Sequence, residues 1–276
     1  PLGDDPSLTM YRRILLPVSE APEVEPMIRF AARLLDADGE IRVLHVIPTT
    51  TLPAMTRQWR GSVDLVVPAH EAGAALDVRV DPEVRAASDV PGEILESAES
   101  HGVDAILMPL RGDRRGTNPF FGHTASAILH HAPCDVLIIN RLALAEERVP
   151  RILLPSLADT APPKAMRVAE ELAVRNKGIP IITLTLSGYG TQGAPAPPER
   201  TPRGVPILHR RSLLSKALLG RRHRLAELIL HEAARERYGL LIVGDDSTRY
   251  QAPLITRRFL EELFRASPCP VIAVRG

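Results

Sequence analysis

A block that reads as a buried strand, a polar loop, a helix and a second buried strand occurs twice in this chain, and this repeat constrains the fold most. The first copy, at 104–141, is DAILMPLRGDRRGTNPFFGHTASAILHHAPCDVLIINR, and the second, at 239–276, is GLLIVGDDSTRYQAPLITRRFLEELFRASPCPVIAVRG. A Pro-Cys pair precedes the last strand of each copy, at Cys134 and Cys269. Similarity of this extent predicts two copies of one domain in tandem.

Apolar runs alternate with helical patterns along the rest of the chain. The run RILLP at 13–17 recurs at 151–155, and each copy continues with a helical pattern. Such alternation predicts parallel strands that are connected by helical crossovers. The predicted fold class is therefore α/β, with two doubly wound, Rossmann-like parallel-sheet domains in tandem.

The same patterns set approximate bounds. We predict a flexible lead-in at 1–10, a first domain at 11–143, a linker at 144–150, and a second domain at 151–276 with an insertion at about 187–224. The predicted strands are 13–18, 41–47, 78–87, 105–108, 134–139, 152–154 and 179–186, and the predicted helices are 23–35, 92–101, 122–132, 163–175 and 225–238. The pair Asp38-Gly39 is expected to end the first helix, and 48–76 is expected to be a loop with a short helix.

Composition narrows the classes of function. The formal net charge of +1 argues against general binding of nucleic acid, and no apolar run approaches the ~18 residues that span a bilayer. The two cysteines occupy matching places in separate copies, which predicts small buried apolar residues in a reducing cytosol and not a disulfide. No signal peptide is recognised at the start, so a cytoplasmic protein is expected. Because the first methionine is Met10, we expect the chain to be a piece of a longer protein.

The loop between strand 105–108 and the next helix contains Gly112, Gly116 and Gly122. Where a strand, a glycine loop and a helix N terminus follow each other, backbone N–H groups and the helix dipole face the loop. This order predicts a site for an anionic ligand at the carboxyl end of the sheet, where strands one and four meet.

The spacing of this loop resembles that of the universal stress protein family in a tandem, UspA-like form. Members that bind nucleotides carry Gly-x-x-Gly, nine residues, and then Gly-Ser or Gly-Thr. Here Pro109, Gly112 and Gly122 take the three glycine positions. Pro109 has no N–H, so one donor to a phosphate is lost. His123 takes the Ser/Thr position, and Ser19 stands where the family has an acidic residue after the first strand.

The resemblance implies that the first domain binds ATP, AMP or another adenine nucleotide. The implied site residues are Pro17, Val18, Ser19, Met108, Arg111, Gly112, Gly116, Gly122, His123 and Thr124. The alternative interpretation is a loop that has lost binding and whose glycines only serve turns.

The corresponding loop of the second domain departs further from the family pattern. Gly244 holds the first glycine position, but Ser247 and Arg257 hold the other two. The side chain of Arg257 would fill the space that a phosphate needs, and Asp245 and Asp246 would repel the phosphate. We therefore predict that the second domain is structural.

No catalytic residue and no metal site are predicted. His123 and His130 lie two helical turns apart, too far for one metal ion, and with His131 they are interpreted as surface residues. The sequence contains no recognisable acid–base pair or Ser-His-Asp arrangement, and neither a dinucleotide-binding glycine motif nor a P-loop follows the first strand. A weak ATPase would need a base that this pattern does not supply.

Basic residues and leucines are interleaved at 208–224. This composition is typical of a segment that touches a membrane surface, or of an amphipathic insertion packed on its own domain. The run APCDVLI at 132–138 is similar to the cytosolic tails of bacterial amino-acid permeases and cation antiporters. The leading hypothesis is therefore the regulatory domain of a transporter, an internal pseudo-dimer whose partner is the transmembrane part of the same or another transporter. The alternative is a free-standing tandem stress protein that binds ATP or AMP in its first domain.

Overall fold

The computed structural model describes residues 10–49, 52–110, 122–140, 149–156, 161–186, 198–212, 222–236, 238–244 and 256–275. For 52–63, 222–223 and 257 it describes the backbone alone. The predicted lead-in and most of the predicted linker lie outside these residues, so both stay predictions.

Strands and helices alternate along the described residues. The strands are β1 (Tyr11–Val18), β2 (Leu35–Pro48), β3 (Arg79–Ala87), β4 (Ala105–Pro109), β5 (Asp135–Ile139), β6 (Ile152–Ser156), β7 (Ile181–Thr185), β8 (Ile207–Arg211), β9 (Leu240–Gly244) and β10 (Val271–Arg275). The helices are α1 (Ala21–Ala31), α2 (Leu52–Leu76), α3 (Val90–Ser100), α4 (His123–His131), α5 (Pro163–Arg175), α6 (Arg222–Arg235) and α7 (Arg257–Ala266).

The chain divides into two compact units with the same strand order. Unit 1 contains the described residues up to Pro109 and Gly122–Leu137, and unit 2 contains Leu110 and the described residues from Ile138 onward. The order is β3-β2-β1-β4-β5 for the strands of the first copy and β8-β7-β6-β9-β10 for those of the second. β1 is parallel to β2 and β4, and β6 is parallel to β7 and β9. These features confirm the predicted α/β class with parallel strands.

The central strands are buried on both faces, as parallel strands covered by helices should be. Every residue of β4, β6, β7 and β9 is buried. The continuous apolar runs that predicted these strands therefore reflect two-sided burial.

The predicted end of the first helix is wrong. α1 ends at Ala31, and β2 already begins at Leu35, so the Asp38-Gly39 pair lies inside a 14-residue strand. Leu35 pairs with Tyr11 of β1, and Asp36 Oδ1 accepts a hydrogen bond from the backbone N–H of Met10 at 2.8 Å. A Cβ atom at position 39 would meet Leu35 Cγ at 2.6 Å. Pairing with β1 and this close contact therefore outweigh the local turn signal.

The region 48–76, predicted as a loop with a short helix, instead contains the 25-residue helix α2. Its described buried side chains, Leu65, Ala69 and Ala72, recur every three to four residues, as on one face of a helix. Pro68 lies inside this helix, and such breakers hid it from the sequence pattern. Although α2 is long, no helix in the described part of the chain is long and apolar enough to cross a membrane.

The predicted insertion at 187–224 is corrected in part, because it contains a strand of the sheet. β8 pairs in parallel with β7, with Ile207 opposite Ile181 and Arg211 opposite Thr185. The segment before β8 is held to α5, where Glu170 Oε1 accepts a hydrogen bond from the backbone N–H of Arg203 at 2.8 Å. The leucine and arginines at 208–211 thus belong to a strand at the end of the described strand order, and most of its residues are exposed. Residues 213–221 lie outside the described residues, so contact with a membrane stays a prediction.

The two cysteines differ in burial. Cys269 is 4% exposed, as predicted for a small apolar residue in the core. Cys134 is only partly buried, because it lies just before β5. The prediction of burial is therefore right for one cysteine and wrong for the other.

Candidate functional site

Unit 1 has a topological switch point at the carboxyl ends of β1 and β4. β1 lies between β2 and β4 and is parallel to both. Ile14 pairs with Ala105 and Leu15 with Ile106, and continuation of this register brings Val18 opposite Pro109. In an open α/β sheet, the crevice at such a point is where ligands bind.

The end of β1 is fixed by a histidine that the sequence analysis did not single out. Val18 is 5% exposed, and its carbonyl oxygen accepts a hydrogen bond from Nδ1 of His45 on β2 at 3.0 Å. In a neutral ring, Nε2 is then left as an acceptor. Pro17 is partly exposed and Ser19 is exposed, so Ser19 can reach a ligand. A polar residue inside the apolar run RVLHVI was the available signal for His45.

The end of β4 forms the other side of the crevice. Met108 is 8% exposed, and Pro109 is the last residue of the strand. The backbone N–H of Leu110 donates to the carbonyl oxygen of Ile139 at 2.7 Å. Neither Pro109, which has no N–H, nor Leu110, whose N–H is used, can donate a backbone hydrogen bond to a ligand.

The N terminus of α4 carries the last three predicted site residues. Gly122 is the N-cap, with φ −65° and ψ 172°, and makes no side-chain cap. Its carbonyl oxygen accepts from the N–H of Ser126 at 3.1 Å. His123 is exposed and Thr124 is partly exposed. Because the first-turn N–H groups of a helix have no acceptor within the helix, those of α4 can bind an anion.

The described members of the predicted site therefore come from three places, namely the ends of β1 and β4 and the start of α4. The other predicted residues, Arg111, Gly112 and Gly116, lie outside the described residues. The assignment of these three residues to the site stays a prediction.

The matching helix of unit 2 begins differently. α7 starts at Arg257, and the N-cap is Thr256, whose side-chain oxygen accepts from the N–H of Phe259 at 3.4 Å. Thr256, and not Arg257, is thus the counterpart of Gly122. The sequence alignment was one residue off because Thr256 follows Gly244 by 12 residues, whereas Gly122 follows Pro109 by 13. The protein's own side chain therefore takes an N–H group that an anion would need.

Gly244 has a role in packing. It is the last residue of β9, and a Cβ atom there would meet the Cβ atoms of Ala165 and Pro162 at 2.6 and 2.7 Å. The start of α5 thus approaches β9 too closely for any side chain. This close approach explains why position 244 is a glycine, and no ligand is needed to account for it. Asp245, Asp246 and Ser247 lie outside the described residues.

The described contacts of His130 and His131 lie within α4 itself. His130 Nδ1 is 2.7 Å from the carbonyl oxygen of Ser126 one turn earlier, and the ring centroids of His130 and His131 are 6.3 Å apart. Within the described ranges, no group of three or more His, Cys, Asp or Glu residues is placed to hold a metal ion.

A charge network joins β8 to α6 in unit 2. Arg210 pairs with Glu232 and with Glu236, each at 2.5 Å. Glu236 also pairs with Arg151 at 3.1 Å, and the hydroxyl of Tyr238 donates to Glu232 at 2.9 Å. The hydrogen bond from Arg210 lowers the pKa of Glu236. Burial, and then the hydrogen bond to Glu232, raises the pKa of Tyr238.

This network predicts acid sensitivity of unit 2. Because the pKa of Glu236 is lower in the folded than in the unfolded protein, its contribution to stability is complete above the unfolded value of about 4.3. It is lost as the pH falls through the lower folded value. The free energy of unfolding should therefore differ more between the wild type and Arg210→Ala at pH 7 than at pH 3.5, measured by urea denaturation. Arg224→Ala is the control, because among the described residues Arg224 pairs only with Glu227, on an exposed helix face. An equal difference at both pH values for Arg210→Ala would contradict the prediction.

Sequence comparison finds a family and relatives that match the first half of the chain. The profile of the universal stress protein family matches residues 10–140. Universal stress protein A homolog 2 of Coxiella burnetii is 27% identical over 140 residues, which are 47% of this chain and 95% of that relative. The chain is therefore about twice as long as this relative.

Several solved structures are similar to almost the whole chain. A universal stress protein from Archaeoglobus fulgidus has a TM-score of 0.67 and 17% identity, and the match covers 95% of this chain and 97% of that one. The cytoplasmic domain of a prokaryotic cation chloride cotransporter has a TM-score of 0.56 and 11% identity, with 95% and 94% covered. At these identities the likeness concerns the fold alone. Residues 10–140 thus match the universal stress protein family in sequence, and the whole chain has the fold of a universal stress protein.

Proposed function

We propose that the chain is a cytoplasmic regulatory domain of a membrane transporter, without enzymatic activity of its own, and that unit 1 senses ATP, AMP or another adenine nucleotide. The observation that carries the proposal is the difference between the two helix starts. At α4, Gly122 leaves the first-turn N–H groups to an external acceptor, whereas at α7 the hydroxyl of Thr256 takes one of them. One nucleotide per chain, bound in unit 1, follows from this difference.

The described residues support a division of labour within this site. The phosphates would lie at the start of α4, where backbone N–H groups and the helix dipole favour negative charge. The nucleoside would lie toward Ser19, beside the carbonyl of Val18 that His45 already holds. A neutral hydroxyl forms a weaker hydrogen bond to a ribose than a carboxylate does. We therefore expect modest affinity, which suits a sensor of a nucleotide present at high concentration.

Transport would be regulated by thermodynamic linkage between nucleotide binding and a conformational equilibrium of this domain. A nucleotide that binds better to one of two conformations shifts the equilibrium between them by its difference in affinity. If only one conformation of this domain engages the membrane part, nucleotide binding and transport are coupled, typically by about 1–3 kcal/mol. The fold shared with the cytoplasmic domain of a cotransporter supports this part of the proposal.

The second candidate is a free-standing stress protein that binds the same nucleotide. It is favoured by the stress protein of Archaeoglobus fulgidus, which has the higher TM-score over a similar length. Fractionation of the natural gene product in its own cells separates the two. The transporter domain should sediment with membranes. It should resist extraction by about 1 M salt, which screens electrostatic contacts between exposed charges, and it should be released by detergent. Recovery in the supernatant before any extraction would contradict the transporter proposal and favour the free-standing protein.

Nucleotide binding by unit 1 is tested with Gly122→Thr, which gives α4 the self-capping residue of α7. Threonine and glycine are similar N-caps, so stability should change by only a few tenths of a kcal/mol, about the scale of that ranking. Calorimetric titration with ATP and with AMP should give one site in the wild type and at least about tenfold weaker binding in the variant, because a lost charge-assisted hydrogen bond costs about 1.5–3 kcal/mol.

Ala132→Thr is the matched control at the other end of the same helix. Ala132 is the C-cap, with extended φ and ψ that threonine also adopts. Its affinity should equal that of the wild type. Absence of heat with every nucleotide, cyclic di-AMP included, would mean that the loop has lost binding, and equal affinity in Gly122→Thr would place the nucleotide elsewhere.

A further inference from the structure

The peptide group between Val18 and Ser19 lies at the carboxyl end of β1, and one side-chain contact defines its orientation. The carbonyl oxygen of Val18 is 3.0 Å from Nδ1 of His45, and the two residues are in register in β1 and β2. Because a carbonyl oxygen can only accept a hydrogen bond, Nδ1 carries the proton and donates it. The carbonyl group of Val18 therefore points toward β2.

The backbone N–H of Ser19 belongs to the same peptide group and points the other way. No cis peptide bond occurs among the described residues, and in a trans peptide the C=O and N–H bonds point in opposite directions. β1 lies between β2 and β4, so this N–H faces the crevice between β1 and β4. In the described part of the chain it has no acceptor. A ligand in the crevice can therefore accept from it.

The opposite side of this crevice cannot supply the same donor. β4 ends at Pro109, which has no N–H, and the register of β1 and β4 brings Pro109 opposite Val18. Ser19 is exposed, so its N–H is accessible from the crevice. The free backbone donor at the described strand ends of this crevice is thus that of Ser19.

The corresponding strand end of unit 2 is arranged differently. The repeated run RILLP aligns Ser156 with Val18, and the residue in register with Ser156 is Thr185. The carbonyl oxygen of Ser156 accepts from the backbone N–H of Leu186 at 2.8 Å. The histidine thus occurs in the unit that we propose to bind a nucleotide, and a threonine takes its place in the other unit.

We propose that His45 is a positioning residue of the nucleotide site, which orients the N–H of Ser19 toward an acceptor atom of the nucleotide. The inference rests on the proposed nucleotide binding in unit 1. His45 holds the carbonyl group of Val18 by a side-chain hydrogen bond, and the planar peptide passes that orientation on to the N–H of Ser19. Ser19 lies between β1 and α1, outside both elements. A donor that is held in place before binding costs less ordering when the ligand arrives.

The test is calorimetric titration of the full chain with ATP, combined with the NMR signal of the Ser19 amide. ATP should shift this signal in the wild type. His45→Leu and His45→Phe remove the donor, and each should bind ATP about three- to tenfold more weakly, as expected for one neutral hydrogen bond. His45→Asn keeps an N–H donor close to the place of Nδ1. Its affinity should stay within about twofold of the wild type, which a loss of histidine packing alone would not allow.

His101→Leu is the matched control. His101 is also a partly buried histidine of unit 1, and its Nδ1 is 2.8 Å from a backbone carbonyl oxygen, that of Ser97. It lies before β4, at the amino end of that strand, so its replacement should leave the affinity for ATP unchanged. Thermal unfolding should show that the variants are folded at the temperature of the titration.

The outcomes separate this proposal from the proposed function. Wild-type affinity in both His45→Leu and His45→Phe would overturn the positioning role and leave nucleotide binding intact. The same holds for an equal loss in His45→Asn, or for a Ser19 signal that ATP does not shift in a wild type that binds ATP. Because that signal is measured in the wild type, the proposal can fail even where a variant does not fold. Absence of ATP binding by the wild type would overturn the proposed function, and the role of His45 with it.

Discussion

Replacing Phe259 by alanine is expected to lower the free energy of unfolding of unit 2 by about 3–5 kcal/mol, the usual cost of a buried phenylalanine-to-alanine change. Phe259 is 1% exposed and lies in the first turn of α7, next to the fully buried Leu260. The substitution removes the apolar ring and leaves a cavity that the surrounding side chains can fill only in part. The cap by Thr256 is kept, because it uses the backbone N–H of residue 259.

Urea denaturation and amide hydrogen exchange of β9 and β10 would measure this effect. Exchange should accelerate in these strands, because their protection depends on the stability of unit 2. Leu208→Ala is the control, since Leu208 is 55% exposed and its loss should change stability by no more than about 0.5 kcal/mol. A loss below about 1 kcal/mol for Phe259→Ala would mean that α7 contributes little to the core, contrary to its burial.

The fold was predictable where burial on both faces determines the sequence. Strands such as β4 and β9 are apolar throughout, as expected of strands that are buried on both faces. Prediction failed where tertiary contacts outweigh local preference. α2 contains breakers yet is helical, since one face of it is buried, and β2 continues through Asp38-Gly39 because it pairs with β1. These contacts join residues far apart in sequence, so a local pattern cannot report them.

The sequence predicted where the candidate site lies in the fold, but not the contacts of its residues. Spacing located the start of α4 and the end of β1, but it could not show that His45 holds the carbonyl of Val18, because that contact depends on the register of β1 and β2. It also misaligned Arg257 with Gly122, because the distance along the chain from strand end to helix start differs by one residue between the two units. Most importantly, spacing could not distinguish a glycine that makes room for a ligand from one that makes room for a helix.

Gly244 allows a test of whether a glycine makes room for a ligand or for a helix. Gly244→Ala should destabilise unit 2 by about 1–3 kcal/mol, as overpacking does. The new methyl group would lie 2.6 Å from Ala165 Cβ and 2.7 Å from Pro162 Cβ, so β9 and the start of α5 must separate. The conformation of Gly244 is that of a β-strand, which alanine also adopts. The cost therefore comes from the contact and not from the backbone.

A double-mutant cycle with Ala165→Gly would locate the cause. Ala165→Gly alone should cost about 1 kcal/mol, because glycine is a poor helix former. In the double variant the removed methyl group makes room for the added one, so the total loss should be smaller than the sum by at least about 0.5 kcal/mol. Additive losses would mean that Ala165 does not limit the space at position 244.

Nucleotide binding in the same variants then separates structure from function. Gly244→Ala should leave the affinity of unit 1 for ATP unchanged at a temperature where the variant is folded, whereas Gly122→Thr should weaken it without a loss of stability. If Gly244→Ala removed a nucleotide that the wild type binds, unit 2 would carry a ligand site at the end of β9. Its glycine would then serve two purposes. If affinity is kept and stability falls, the two units use glycine at the ends of corresponding connections for different physical reasons, approach of an anion in one and approach of a helix in the other.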